Sequence, residues 1–325
     1  MTNGNDADSI ANGNDTGAGG VETLEGTVFD IGYQHYAGPR AGRNRARIAV
    51  YKDGLRIALG LGRGGRAKIL PWFFIGVAGV IGLVMALVAG AVNTYIGPDA
   101  VEQLNLPSHS DYYGIASIVF FVFAAVSAPE MLCPDRRDGV INLYLVRPLS
   151  GSDYVFARWF AFFTVMVVVA WFPQIILLFG LTMGSASPWD YFLENWADIP
   201  RLLASGTALA AYTTSLAMLV ASFTTRRAYA SVFLVGLFLI TTPFTVGLAA
   251  ELADEFDNTA GQWVSMFNLS NIPVHVNDLI FDDVSAVTEI APAGLFAPSI
   301  LISWYFLWTL GPAGILWMRY RKLTP

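Results

Sequence analysis

Catalysis needs nucleophiles, acids, bases or metal ligands at workable spacing, and this 325-residue chain offers few. Its three histidines, His35, His109 and His275, lie in polar segments without partners at metal-ligand spacing, so each reads as a solvated loop residue. The single cysteine, Cys133, can close no intramolecular disulfide and build no cysteine-rich metal site. Gly60 to Gly65, GLGRGG, satisfies the dinucleotide-binding spacing G-x-G-x-x-G. That fingerprint requires a buried strand before it and a soluble helix after it. Here an amphipathic helix leads in and a long apolar run follows, so the glycines read as an elbow. The P-loop pattern G-x-x-x-x-G-K-[ST] is missing, so no ATP site of that kind, no metal and no bound cofactor are expected in this chain.

The scarcity of chemistry follows from the composition. Apolar residues make up 54% of the chain, charged residues only 14%, and mean hydropathy is +0.51. A water-soluble chain of this size carries more charge. Twenty-two Phe, thirteen Tyr and nine Trp against nineteen Lys and Arg indicate a protein dissolved in lipid, and argue against nucleic-acid binding by bulk charge. A helix needs about twenty apolar residues to cross ~30 Å of hydrocarbon. Six segments qualify, at about 69–95, 113–128, 156–181, 202–223, 228–250 and 293–317. They are too long and too uniformly apolar for barrel strands. The expected fold is an all-α integral membrane protein with six transmembrane helices.

Lys and Arg near helix ends stay on the cytoplasmic side. Six crossings put both termini together, and eighteen of the nineteen basic residues then share that side. The other face keeps only Arg201, with fourteen acidic residues. Both termini are therefore expected in the cytoplasm and the chain in the plasma membrane. Residues 1–25, rich in Gly, Asn and Asp and free of apolar runs, read as a disordered cytoplasmic tail rather than a signal peptide.

Residues 26–68 lead into the first segment. From about Arg43 to Gly60 the pattern predicts a helix with an apolar stripe of Ile48, Tyr51, Leu55 and Leu59, and a basic stripe of Arg45, Lys52 and Arg56 beside it. Such a helix lies in the plane of the membrane interface with its cations at lipid headgroups, or else packs on a cytosolic partner.

With Arg158 counted among the cytoplasmic cations, no Asp, Glu, Lys, Arg or His falls within the six segments. Carriers driven by protons or sodium keep such groups at mid-membrane, and intramembrane hydrolases keep nucleophiles or metal ligands there. A protein without them takes its driving force from elsewhere. Uncharged polar residues do occur at depth: Gln174 beside Pro173, Thr213 with Thr214 and Ser215, then Thr241, Thr242, Pro243 and Thr245. They would mark a hinge or a pathway lining, or simply bond their own i−4 carbonyls and join helices.

Between the second and third segments runs the richest loop, APEMLCPDRRDGVINLYLVRPLSGSDYVFARW. Asp138 is placed to cap a short helix from Gly139 to Val146 that stops before Pro148. Val140, Leu143, Tyr144 and Arg147 would share one face of it. So short a helix is not stable alone, and its apolar face needs lipid or a protein partner. Across the membrane, the loop at 251–292 carries Trp263, Phe267, Ile280 and Phe281 beside many carboxylates and is expected to cap the bundle. Asn268-Leu269-Ser270 there is a formal N-glycosylation acceptor expected to stay bare.

Asp135 to Arg158, DRRDGVINLYLVRPLSGSDYVFAR, resembles the segment of type-2 ATP-binding-cassette (ABC) permeases that reads acidic-Arg, Gly, a leucine-rich stretch, then R-P-[LV]-S and an aromatic run into the third span. Six spans and an N-terminal in-plane helix extend the resemblance over most of the chain beyond residue 26. The segment is similar in particular to prokaryotic permeases of the nitrous-oxide-reductase maturation type. The resemblance implies that this loop docks into a separately encoded ATPase, with Arg136, Arg137, Asp138, Gly139, Leu143, Tyr144, Arg147 and Pro148 forming or framing the contact. It also implies an exporter that works as a dimer, with a second copy or a paralogue, alongside two ATPase subunits that hold the ATP and Mg. A membrane scaffold that binds a soluble partner through residues 130–158 without transport would explain the same loop. An intramembrane enzyme would lack titratable groups at depth.

Overall fold

Apolar runs in lipid must satisfy their own backbone, which leaves helices or closed barrels. A computed structural model of the chain describes residues 38, 42–62, 64–96, 108–145, 149–185, 187–255, 258–282 and 296–322. Among these the regular elements are all helical: α1 (Gly42–Ala58), α2 (Gly65–Tyr95), α3 (Tyr112–Arg137), α4 (Val140–Leu145), α5 (Gly151–Gly184), α6 (Pro188–Glu194), α7 (Asp198–Phe223), α8 (Arg227–Glu255), α9 (Asn258–Ser265), α10 (Ile272–Ile280) and α11 (Ala297–Arg321). The expected tail over residues 1–25, like His35, lies outside the described residues. Six helices, α2, α3, α5, α7, α8 and α11, are long and apolar enough to cross a membrane, one for each predicted segment.

Five of them are longer than predicted, α3 and α5 the most. α3 runs on from Ala128 through Pro129 and Pro134 to Arg137, because packing against α7 and α8 outweighs the roughly 3 kcal/mol that a proline inside a helix costs. α5 begins at Gly151 rather than Phe156. Its start is set by a capping box: Ser150 Oγ accepts from the Asp153 N–H at 3.2 Å, and the Ser150 N–H donates to Asp153 Oδ2 at 3.1 Å.

Small residues bring α2 and α5 into backbone contact. Gly82, Ala86 and Gly90, four apart on α2, meet Pro173, Gly180 and Gly184 of α5. A Cβ on Gly180 would lie 2.3 Å from Ala86 Cβ, and one on Gly184 would lie 2.8 Å from Gly90 Cα. Without a hydrophobic driving force between helices in lipid, such close approach supplies the association. Tyrosine hydroxyls add cross-helix bonds to backbone carbonyls: Tyr112 to Ala78 at 3.0 Å, Tyr113 to Ala170 at 3.1 Å and Tyr305 to Ala208 at 2.9 Å.

The glycine-rich stretch is a turn between α1 and α2, with Gly60 and Gly62 at φ 66° and 79°. A Cβ on Gly60 would lie 2.2 Å from the Ala67 carbonyl oxygen, so the turn both needs positive φ and leaves no room for a side chain. α1 itself packs on α3 and α5. Its fully buried positions are Val50, Gly54 and Ala58; of the predicted stripe, Tyr51, Leu55 and Leu59 are half-buried against the core and Ile48 is 51% exposed. Small size decides the face, since a Cβ on Gly54 would lie 2.6 Å from Ala161 Cβ of α5.

At the far end, α9 and α10 do not form a surface cap. The turn between them goes inward and its backbone is satisfied by the bundle: Tyr212, near the middle of α7, donates to the Leu269 carbonyl at 2.8 Å, and Ser270 Oγ donates to the Phe238 carbonyl of α8 at 2.8 Å. Asn277 of α10 accepts from Ser205 Oγ at 2.6 Å and donates to the Ser110 carbonyl at 2.6 Å. Irregular backbone is tolerated at such depth only where protein groups replace water. Asn268 of the formal glycosylation acceptor is buried in this turn. Residues 283–295 lie outside the described residues.

Candidate functional site

The loop between α3 and α5 sits over an ionic junction. α5 opens with SGSDYVFAR, which sets Tyr154 and Arg158 one turn apart. Arg158 is 0% exposed. Its Nη2 donates to Asp135 Oδ2 of α3 at 2.7 Å, and its Nη1 lies 2.9 Å from Asp53 Oδ2 of α1. The Tyr154 hydroxyl donates to the same Asp135 oxygen at 2.7 Å, and the Tyr154 ring lies under the guanidinium. One cation thus ties three helices. Arg158 lies inside α5 rather than in the loop before it, which corrects the expectation that the six apolar helices hold no ionisable group. The charge is tolerated inside α5 because two carboxylates face it.

A second knot lies one turn earlier. Asp153, already the capping partner of Ser150, accepts from Arg43 Nε at 2.7 Å and Arg47 Nε at 2.8 Å, both from α1. α1 therefore turns Arg43, Arg47 and Asp53 toward the bundle. Arg45, Lys52 and Arg56 stay exposed and form no ion pair among the described residues. Further round, Arg227 at the start of α8 reaches Glu130 of α3 at 2.6 Å, and Arg136 donates to the Ser222 carbonyl near the end of α7.

α4 hangs from this junction. Asp138 closes α3, and Gly139, at φ 67°, turns the chain into α4. The Asp138 carboxylate accepts from Arg137 Nε at 2.8 Å, and that hydrogen bond holds it below the usual carboxylate range. Ile141 and Leu145 are buried, and the Tyr144 ring is 5.6 Å from that of Tyr154, which in turn stacks on Tyr320 of α11 at 5.9 Å. Leu143 on the predicted face is 68% exposed. Arg147 and Pro148 lie outside the described residues.

Of the uncharged polar residues at depth, Gln174, Thr213 and Thr242 have hydrogen-bond partners close at hand. Gln174 is fully buried and grips the chain before α3: its Oε1 is 2.8 Å from His109 Nδ1, and its Nε2 donates to the His109 carbonyl at 3.2 Å. His109 is only 4% exposed, which corrects its assignment as a solvated residue. Burial pulls its pKa below the ordinary 6.5, against the hydrogen bond to Gln174 Oε1 and the charge of Asp198. Thr213 donates to the Leu209 carbonyl four residues back at 2.7 Å. Thr242 donates to Asn268 Oδ1 at 3.1 Å, fastening the inward turn. Thr241 Oγ1 is buried without a partner among the described residues, and Pro243 is exposed on the outer side of α8. The five are not gathered around one cavity.

Sequence reasoning missed Asp53, Asp135, Tyr154, Asp153, Arg43 and Arg47. The S-x-x-D spacing of Ser150 and Asp153 was available as a signal, but the pairings with α1, more than 100 residues away, were not.

A family profile described as ABC-2 family transporter protein matches residues 32–312. Comparison with curated proteins finds no match. Because that profile spans most of a chain with six helices of membrane-crossing length, this protein belongs to the ABC-2 family of transporters, as a multi-pass membrane subunit without an ATPase motif of its own.

Proposed function

We propose that this chain is the translocating subunit of an ATP-driven exporter and that the residues from Arg136 to Pro148 receive the motion of a separate ATPase. The observation that supports this most is the division of α4. Ile141 and Leu145 are buried while Leu143 is exposed, and the neighbouring Tyr144 ring lies against Tyr154, which donates to Asp135 of the junction. A push on Leu143 and Tyr144 has a rigid route through Tyr154 into α1, α3 and α5. Closure of two ATPase subunits around ATP and Mg would draw the loops of two membrane subunits, identical or paralogous, together. The spans would then rock between inward- and outward-facing states.

In this proposal both termini are cytoplasmic, the membrane is the plasma membrane, and α1 lies at the interface with Arg45, Lys52 and Arg56 toward the lipid. The basic-residue asymmetry supports that orientation. The similarity of the loop to permeases of the nitrous-oxide-reductase maturation type supports the docking role.

Co-purification with the partner ATPase and its stimulated ATP hydrolysis test the proposal. Burying Leu143 in a partner is worth about 2 kcal/mol, so Leu143→Glu should weaken association at least tenfold. Arg137→Glu and Tyr144→Ala should lower stimulated hydrolysis while the protein still elutes as a folded species. Unchanged association and hydrolysis in all three variants would remove the loop as the docking element.

A further inference from the structure

A carboxylate held between two guanidiniums leaves one positive charge over. Both oxygens of Asp153 are taken by the arginines of α1: Arg43 Nε and Nη2 each lie 2.7 Å from Oδ2, and Arg47 Nε and Nη2 lie 2.8 and 2.6 Å from Oδ1. No second carboxylate pairs with either arginine among the described residues. The Asp153 side chain is only 8% exposed, whereas that of Arg43 is 52% exposed and that of Arg47 44%. What faces outward from this knot is therefore positive and accessible.

Arg47 lines a groove between α1 and α5 with a volume of about 370 Å3. Its floor is Ile48, Phe156, Ala157 and Phe160, and the three large side chains among them are half-exposed. The other two residues lining it are already engaged, Asp153 by the arginines and Tyr51 by Thr164, to whose Oγ1 its hydroxyl donates at 3.0 Å. α5, with 34 residues, is about 51 Å long and, centred on a ~30 Å hydrocarbon core, overhangs it by roughly 10 Å at each end. Asp153 comes two residues after the first of α5 and Phe160 nine, which sets them about 3 Å and about 14 Å along it. Trp317 of α11, whose Nε1 donates to Ser152 Oγ at 3.1 Å with Arg321 against its ring, marks the same level as a membrane interface. The groove thus runs from the headgroup layer, where the arginines lie, into hydrocarbon.

We propose that this groove holds an acyl chain of an anionic phospholipid whose phosphate meets Arg47, with Arg43 beside it. A guanidinium offers paired N–H donors that match phosphate oxygens. The ammonium of a zwitterionic headgroup finds no open carboxylate, because Asp153 is closed off by the arginines, so a net negative head is selected. A free phosphate would leave the apolar floor uncovered, whereas a chain attached to it covers that floor. The inference rests on the membrane placement of the helices and not on ATPase coupling, so it is tested without ATP or a partner.

The full chain in phosphatidylcholine nanodiscs receives a trace of phosphatidylglycerol or of phosphatidylcholine, each with a diazirine near the start of one acyl chain, and crosslinks are mapped by mass spectrometry. Ile48 and residues 156–160 should take label from phosphatidylglycerol about fivefold more than from phosphatidylcholine, the preference that one basic residue at a membrane surface supplies. Arg47→Gln should bring the two probes level. Ala157→Leu, which narrows the groove and leaves the arginines in place, should lower labelling by phosphatidylglycerol severalfold. Arg226→Gln, which removes an exposed cation just before α8, should leave the preference as it is. Equal labelling by the two probes, a preference that survives Arg47→Gln, or one that disappears in Arg226→Gln overturns the proposal. So does displacement of the label by millimolar glycerol phosphate, which would make the arginines a site for a soluble anion. If Arg47→Gln elutes as aggregate, undiminished labelling of Ala157→Leu overturns it instead.

Discussion

Arg158 shows how much one side chain can organise. A buried cation whose partner is removed leaves an uncompensated charge, which costs about 3–5 kcal/mol. Arg158→Leu should therefore lower thermal stability by about 3 kcal/mol. Adding Asp135→Asn should recover part of the loss, because the neutral amide no longer needs the guanidinium. A double variant less stable than Arg158→Leu by the full cost of Asp135→Asn would mean that the pair is not coupled. His109 gives a second test at this scale. Its pKa is lowered in the folded protein, so below the ordinary 6.5 the unfolded chain binds a proton that the folded chain refuses. Its contribution is intact above that value and is lost as pH falls. The melting midpoint should drop between pH 7.5 and pH 5.5, and the drop should be shallower in His109→Gln.

Among the elements, α1 is the least predictable and the most consequential. Its inner face is set by small size and by ion pairs to Asp153 and Arg158 as well as by apolar side chains. Gly54→Leu should force α1 from α5 at a cost of about 1–3 kcal/mol. Faster backbone hydrogen exchange over residues 44–58 would register the change. Arg45→Ala, on the exposed face, should leave exchange as it is. The spans were legible because lipid demands about twenty apolar residues, and that demand is written locally. Their ends were less so. The start of α5 depends on a capping box, and the end of α3 on packing that overrides two prolines. The inward turn at residues 266–271 was invisible because N-L-S-N reads as an aqueous loop until Tyr212, Phe238 and Thr242 supply its hydrogen bonds.

For the whole molecule, six crossings require the α3–α5 loop and the C-terminal end to share one side. Cys133 is buried and should resist membrane-impermeant maleimide, so single cysteines can be added against a silent background. Leu143→Cys and Lys322→Cys should label from the cytoplasmic side and Trp196→Cys from the other. Labelling of Leu143→Cys and Lys322→Cys from opposite sides would break the six-span topology.

Composition and hydropathy by themselves determined the solvent and the six spans, because each is a property of contiguous residues. Only the tertiary structure decided that Arg158 is buried between Asp53 and Asp135, that Gln174 holds His109, and that residues 258–282 turn into the bundle. The physical reason is the same in each case. A buried polar group is stable only with its partner, and those partners lie between 23 and 167 residues away in the chain.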